Sequence, residues 1–289
     1  MSELQNTGIV RPLLELNKVN MFFGGVQAVS DMSFSVMENE LAGIIGPNGA
    51  GKTTIFNIIT SVYNPTSGNI WFREQDLVPL KAYQVNRLGV ARTFQNLRLF
   101  SRSTILENVM TAAQNRYRCS FLRKPGGKLA ASCRPDPEYY YSFFESLFHL
   151  GRWNRVEKQI KAKSMELLDR VGLADRAYQT AGTLPYGMQR RLEIARALAL
   201  DPKMLLLDEP AAGMNPEEVF ALNDLIRGIH RDFKLTILVI EHHMDMIMEI
   251  CPHIICMNFG AKIAEGSPDE IQNNPEVLSA YLGDEEAVG

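Results

Sequence analysis

Gly46-Pro47-Asn48-Gly49-Ala50-Gly51-Lys52-Thr53 is the stretch that most restricts what this chain can become. It fits the pattern G-x-x-x-x-G-K-[ST], in which a glycine-rich turn wraps its backbone N–H groups around a polyphosphate. The flanks supply the context that the pattern needs. Leu41-Ala42-Gly43-Ile44-Ile45 is an apolar run of strand length, and Thr54 to Thr60 is apolar at helical spacing. Strand, turn and helix in that order set the positive end of the helix beside a bound anion. Lys52 can then reach the β- and γ-phosphates, and the Thr53 hydroxyl can ligate Mg²⁺.

A chain of 289 residues, 46% of them hydrophobic, has ample material for a large core with a subdomain. The formal net charge of −3 gives no global basic field for nucleic acid. Cys119, Cys133, Cys251 and Cys256 have no paired metal spacing, and their sparsity suits buried thiols in a reducing compartment. Met1 to Val10 is polar and lacks the apolar centre of a signal peptide. No run approaches the roughly 18 apolar residues of a spanning helix. The expectation is a soluble or peripheral protein whose membrane role, if any, comes through partners.

Leu13 to Val19 reads as a strand with Leu14, Leu16 and Val19 on one face, followed by a turn over Met21-Phe22-Phe23-Gly24-Gly25 and a second strand from Val26 to Val36. After the glycine loop and its helix, Asn64 to Gly68 is a turn, Asn69 to Arg73 a strand, and Leu88 to Phe94 a short mixed strand ending at Gln95. From Leu106 to about Ala199 charged and aromatic residues dominate, with helical spacing over Ile160 to Val171. Within that region Arg116 to Pro137 is basic and Tyr139 to Phe144 densely aromatic, which suits a helix packing its rings on a subdomain better than a nucleic-acid surface. Met188 to Leu200 is a helix stopped by Asp201-Pro202. Met204 to Leu207 and Leu235 to Ile240 are buried strands. Helices over Glu217 to Ile229 and Met244 to Ile250 follow them, and a hairpin turns at Asn258 to Ala261. Alternating strands and helices mean a mostly parallel sheet.

Leu205-Leu206-Leu207-Asp208-Glu209-Pro210 is an apolar strand ending in two acids. Beside a phosphate loop, such a pair divides the work. Asp208 holds the Mg²⁺ shell, and Glu209 polarises a water for in-line attack on the γ-phosphate. His242, with His243 as the alternative, follows another buried strand. It therefore falls at the same sheet edge, where open α/β sheets bind ligands. His242 is favoured because it comes first after the strand.

These parts resemble, in order and from about Leu13 to Gly283, the ATP-binding cassette (ABC) proteins that drive membrane transporters. The resemblance places a glutamine loop at Gln95, a signature at Leu184-Pro185-Tyr186-Gly187-Met188-Gln189, a D-loop at Ala211 to Asn215 and a switch histidine at His242. It implies a P-loop NTPase α/β fold with a mostly parallel core sheet. An N-terminal antiparallel β subdomain and an α-helical signature subdomain complete it. The cassette is expected over residues 13–283, with the core at 13–95 and 200–265, the helical subdomain at about 96–199 and a C-terminal extension at 266–289. It further implies ATP and Mg²⁺, held by Gly46 to Thr53 with Thr54. Phe23, or failing it Phe22, stacks on adenine. Thr53, Gln95 and Asp208 stand at the metal, and Glu209, His242 and Gln95 are the catalytic set. Two cassettes of this family close head to tail over two ATP molecules. The helical subdomain meets coupling helices of the membrane subunits.

Two departures stand out. Pro185 replaces the serine of Leu-Ser-Gly-Gly-Gln, removing a hydroxyl and an N–H at a loss of about 1.5–3 kcal/mol of nucleotide clamping. Asn215 replaces the usual D-loop aspartate. Val90 to Gln95, Leu97 to Phe100, the Tyr-Gly signature, Asp208 to Gly213 and the ending Ala280-Tyr281-Leu282-Gly283 look like the ATP-binding subunits of branched-chain amino acid importers, a group that includes urea and amide transporters. The partners implied are a second cassette subunit, two transmembrane permeases and, indirectly, a periplasmic binding protein, at the cytoplasmic face of the inner membrane, with no nucleic acid. A soluble cassette acting on nucleic acid or ribosomes and a non-catalytic regulator are the competing classes. The length between Gln114 and Gln159 exceeds the family's.

Overall fold

The computed structural model describes residues 12–114, 118–119, 140–141, 152–242 and 244–285. Most of the basic stretch and most of the aromatic stretch predicted above therefore lie outside the described residues, as does His243.

The chain opens with β1 (Leu14–Phe23) and β2 (Val26–Val36), an antiparallel hairpin in which Phe22 faces Gln27 and Phe23 faces Val26. The expected turn over Met21 to Gly25 is thus confined to Gly24-Gly25. Two glycines, with Gly24 at φ +57°, make the tight connection whose twist matches paired strands, so the strand runs on through both phenylalanines. An irregularity between Leu16 and Val19, where Lys18 adopts φ +49°, shifts the alternation by one residue. Leu14, Leu16, Val19 and Met21 consequently all face inward.

β3 (Leu41–Ile45) leads into α1 (Lys52–Ile59); β4 (Ser67–Phe72) and β5 (Gln75–Asp76) return to the antiparallel sheet, ordered β2-β1-β4-β5. The mixed strand expected from Leu88 is shorter. Leu88 ends α2 (Ala82–Leu88), Gly89 caps that helix at φ +107°, and β6 begins at Val90 (Val90–Arg92). α3 (Ile105–Ala113) is capped by Thr104 through a reciprocal pairing with Glu107. Beyond it lie the two-residue strands β7 (Arg118–Cys119) and β8 (Tyr140–Tyr141), then α4 (Arg152–Arg170) and α5 (Tyr186–Leu198). β9 (Met204–Asp208), α6 (Pro216–Phe233), β10 (Thr236–Ile240), α7 (Met244–Ile250), β11 (His253–Asn258), β12 (Ala261–Gly266), α8 (Pro268–Gln272) and α9 (Pro275–Glu285) complete the order.

The central sheet runs β12-β11-β3-β10-β9-β6, parallel except for β12. Its inner strands are near-continuous apolar runs because both faces are covered, with polar residues such as Asp208 and Thr236 confined to their ends. Leu205, Leu207, Ile237 and Val239 pack with the helices α3 to α7. Met204, Leu206, Leu238 and Ile240 pack instead with α1 and the antiparallel sheet. Among the described residues no helix is long and apolar enough to cross a membrane.

Candidate functional site

Sheet order decides which loops become neighbours. β3, β10, β9 and β6 lie side by side and parallel, with Ile240 in register with both Ile44 and Asp208. Their carboxyl ends release, in that order, the glycine loop, Glu241-His242, Glu209 and the segment Thr93 to Gln95. Four distant parts of the sequence therefore meet at one edge, the place where sheets of this type bind ligands.

Backbone crowding shapes the glycine loop. A Cβ on Gly46 would lie 2.1 Å from the carbonyl oxygen of Met257, and one on Gly51 2.5 Å from that of Ala28, so only glycine fits either place. Gly260, in the β11–β12 turn, donates to Ala50 O at 3.1 Å and accepts from Ser30 N at 2.8 Å, tying the loop to both sheets. Gly51 at φ +96° starts α1 without a side-chain cap. Thr53 is exposed on the first turn, Thr54 is half-buried, and Lys52 is buried. The lysine bends back to donate to Gly46 O at 2.5 Å and Pro47 O at 2.9 Å. Burial holds its amine below the ordinary lysine range, while the negative charge of Glu209, Glu241 and Asp208 pulls the other way.

Asp208 is buried at the end of β9, where Arg92 Nη2 meets its Oδ2 at 2.6 Å. Burial pushes its carboxyl above the usual range against the lowering effect of Arg92. Its other oxygen, Oδ1, is buried without a hydrogen-bond partner. An orphaned carboxylate oxygen at this edge, with the Thr53 hydroxyl at the mouth of the same loop, is a donor set of the hard-oxygen kind that suits Mg²⁺.

Glu209 leaves the strand in the left-handed region, φ +45°, with its N–H on Ile240 O at 2.9 Å. That turn lets consecutive acids serve one site although strand neighbours point oppositely. Gln95 Nε2 donates to Glu209 Oε2 at 2.7 Å. His242 is exposed, its Nδ1 3.6 Å from Glu241 Oε2.

Other predicted residues stand apart from this cleft. Leu184 is buried, and Pro185 is the N-cap of α5, without a side-chain cap bond. Gln189 Nε2 donates back to Leu184 O at 2.8 Å. Tyr186 borders Gly213, and a Cβ on Gly187 would lie 2.9 Å from Glu218 Oε1. Met188 packs on the helical core. Asn215 caps α6, accepting from Glu218 N at 2.9 Å while Glu218 returns to Asn215 N. An asparagine serves there as well as an aspartate. Phe22 and Phe23 are both exposed, and Phe23 meets the Tyr63 ring edge-on, centroids 5.2 Å apart.

Sequence reasoning missed four residues here. Arg92 was legible as a cation inside a short strand, which demands a buried acid. Glu241, fully buried, accepts from Ala211 N at 2.7 Å and so fixes the segment that follows Pro210; the signal was an acid abutting the apolar run Ile237 to Ile240. Tyr63 and Arg190 gave no local signal.

A family model described as ABC transporter matches residues 29–212. The chain belongs to the ABC transporter family. A second model, branched-chain amino acid ATP-binding cassette transporter, matches residues 261–287 at the end of this cassette. The high-affinity branched-chain amino acid transport ATP-binding protein LivG of Salmonella typhimurium is 40% identical over 274 residues, covering 95% of this chain and 99% of the relative. BraF of Pseudomonas aeruginosa, with the same description, is also 40% identical over the same shares. The crystal structure of the ADP conformation of MJ1267, an ATP-binding cassette of an ABC transporter, has a TM-score of 0.75 at 27% identity. It covers 94% of this chain and 99% of that one. The cassette is accordingly an ATP-hydrolysing transporter ATPase with the α/β P-loop fold.

Proposed function

We propose that this cassette couples ATP hydrolysis to the import of branched-chain amino acids, working at the cytoplasmic face of the inner membrane beneath two permease subunits. The placement of Lys52, Asp208, Glu209 and His242 at one sheet edge carries the catalytic part of this reading. The match of its closing segment and its 40% identity to LivG and BraF carry the substrate.

ATP enters over the glycine loop, with the backbone N–H groups of Gly46 to Thr53 facing its phosphates and Phe23 against the adenine. Lys52 exchanges its two loop carbonyls for β- and γ-phosphate oxygens, a stronger charge-assisted pairing. Thr53 and Asp208, with Gln95 nearby, would hold Mg²⁺, which when bound neutralises charge between the β- and γ-phosphates. Glu209 accepts a proton from the attacking water, and the bond from the γ-phosphorus to the ADP oxygen breaks as the new P–O bond forms. His242 faces the γ-phosphate, held by its backbone to Glu241. A second cassette, presenting Leu184 to Gln189 of its own α5 equivalent, would close the site from outside.

Reconstituting the cassette with its permeases and binding protein in vesicles tests the substrate. ATP-dependent uptake of labelled leucine supports the reading. Uptake of urea without leucine would move it to the amide branch of the same group.

A further inference from the structure

Arg190 is, among the described residues, the largest fully buried side chain, and it sits in the second turn of α5. Its Nη1 donates to Phe94 O at 2.7 Å and to Glu193 Oε2 at 2.8 Å. Its Nη2 donates to Gln95 O at 2.9 Å and to the Tyr186 hydroxyl at 3.2 Å. Glu193 Oε1 in turn accepts from Phe94 N at 3.3 Å. One guanidinium and one carboxylate thus hold Phe94 through both its N–H and its C=O, and Gln95 through its C=O, just past the end of β6. The second of those residues, Gln95, carries the amide bonded to Glu209.

Packing alone does not call for this arrangement. An apolar pair of similar volume is often as stable as a buried ion pair, or more so. What the charged pair adds is geometry, because a planar guanidinium fixes two carbonyls at once. We propose that Arg190, supported by Glu193, is a positioning residue that locks Gln95 to the start of α5, so that the signature helix and the carboxylate of Glu209 move as one unit. The inference rests on Glu209 acting as the base, as proposed above. It adds a path from Tyr186, exposed at the start of α5, through Arg190 and the Gln95 backbone to the acid at the end of β9.

The test uses the full chain in its assembled transporter, comparing Arg190→Met and Glu193→Gln with the unaltered protein. Both are expected to keep the equilibrium affinity for ATP and KM within about twofold, while kcat falls at least about tenfold for Arg190→Met and about threefold for Glu193→Gln. Amide hydrogen exchange should quicken over residues 93–96 and stay unchanged over β9. Should Arg190→Met fail to fold, Glu193→Gln, which retains an acceptor for Phe94, carries the test with the same two readouts. Unchanged kcat in a folded variant, or a loss of kcat matched by equal loss of ATP binding, overturns the proposal. A Glu209→Gln variant that still turns over would instead strike the base assignment on which it rests.

Discussion

Gln95 Nε2 and Glu209 Oε2 stand 2.7 Å apart, each just beyond the carboxyl end of one of two strands, β6 and β9, that lie side by side in the sheet. The amide aims the carboxylate that the proposed chemistry requires. A hydrogen bond to a charged group contributes about 1.5–3 kcal/mol, and each 1.36 kcal/mol is tenfold in rate. Gln95→Ala should therefore lower kcat by roughly 10- to 100-fold with little change in ATP affinity, read from steady-state hydrolysis beside equilibrium binding.

Arg92 and Asp208 form a pair whose side chains are only 6% and 2% exposed, and Arg92 also donates to Asn57 Oδ1 of α1 at 2.8 Å. Removing one partner strands the other charge in the core. Arg92→Met should cost about 3–5 kcal/mol of unfolding free energy in urea. Adding Asp208→Asn to it should cost less than the two single losses together.

Much of this edge could be read from the residues. The glycine loop, the apolar strand into Asp208-Glu209 and the strand before His242 each declare themselves within about ten residues, because local spacing and turn chemistry set them. What stayed hidden was pairing across distance. Nothing near Arg190 in sequence announces that its donors end on the backbone of residues 94 and 95, whereas the cap that Asn215 forms with Glu218 is local and carries its own signal, an asparagine before Pro216 with a glutamate three residues on. The overlong turn at Met21 and the early start of β6 were errors of boundary, set right by the tight connection at Gly24-Gly25 and by a capping glycine at position 89.

Asn215 gives a prediction of its own. Asn215→Ala removes the cap of α6 and should cost about 1 kcal/mol, whereas Asn215→Asp should be close to neutral in stability. Thermal unfolding of the two variants side by side decides between a cap and a purely interfacial residue.

His253 bonds Glu265 and Glu40 at 3.0 and 2.6 Å, and these bonds raise its ring from 6.5 to about 9. A raised histidine stabilises the fold fully below pH 6.5, and that contribution fades as pH climbs through about 9. Allowing for solvent screening at this partly open site, about 1–2 kcal/mol should be lost between pH 6.5 and pH 9.5. His253→Gln should flatten that part of the stability curve.

The assignment of Glu209 as the base for water is tested most directly by single-turnover hydrolysis with Glu209→Gln in the assembled transporter. ATP binding retained within about twofold, with the hydrolysis rate down by roughly 10²–10⁴, is the predicted result. Hydrolysis at the unaltered rate would contradict it.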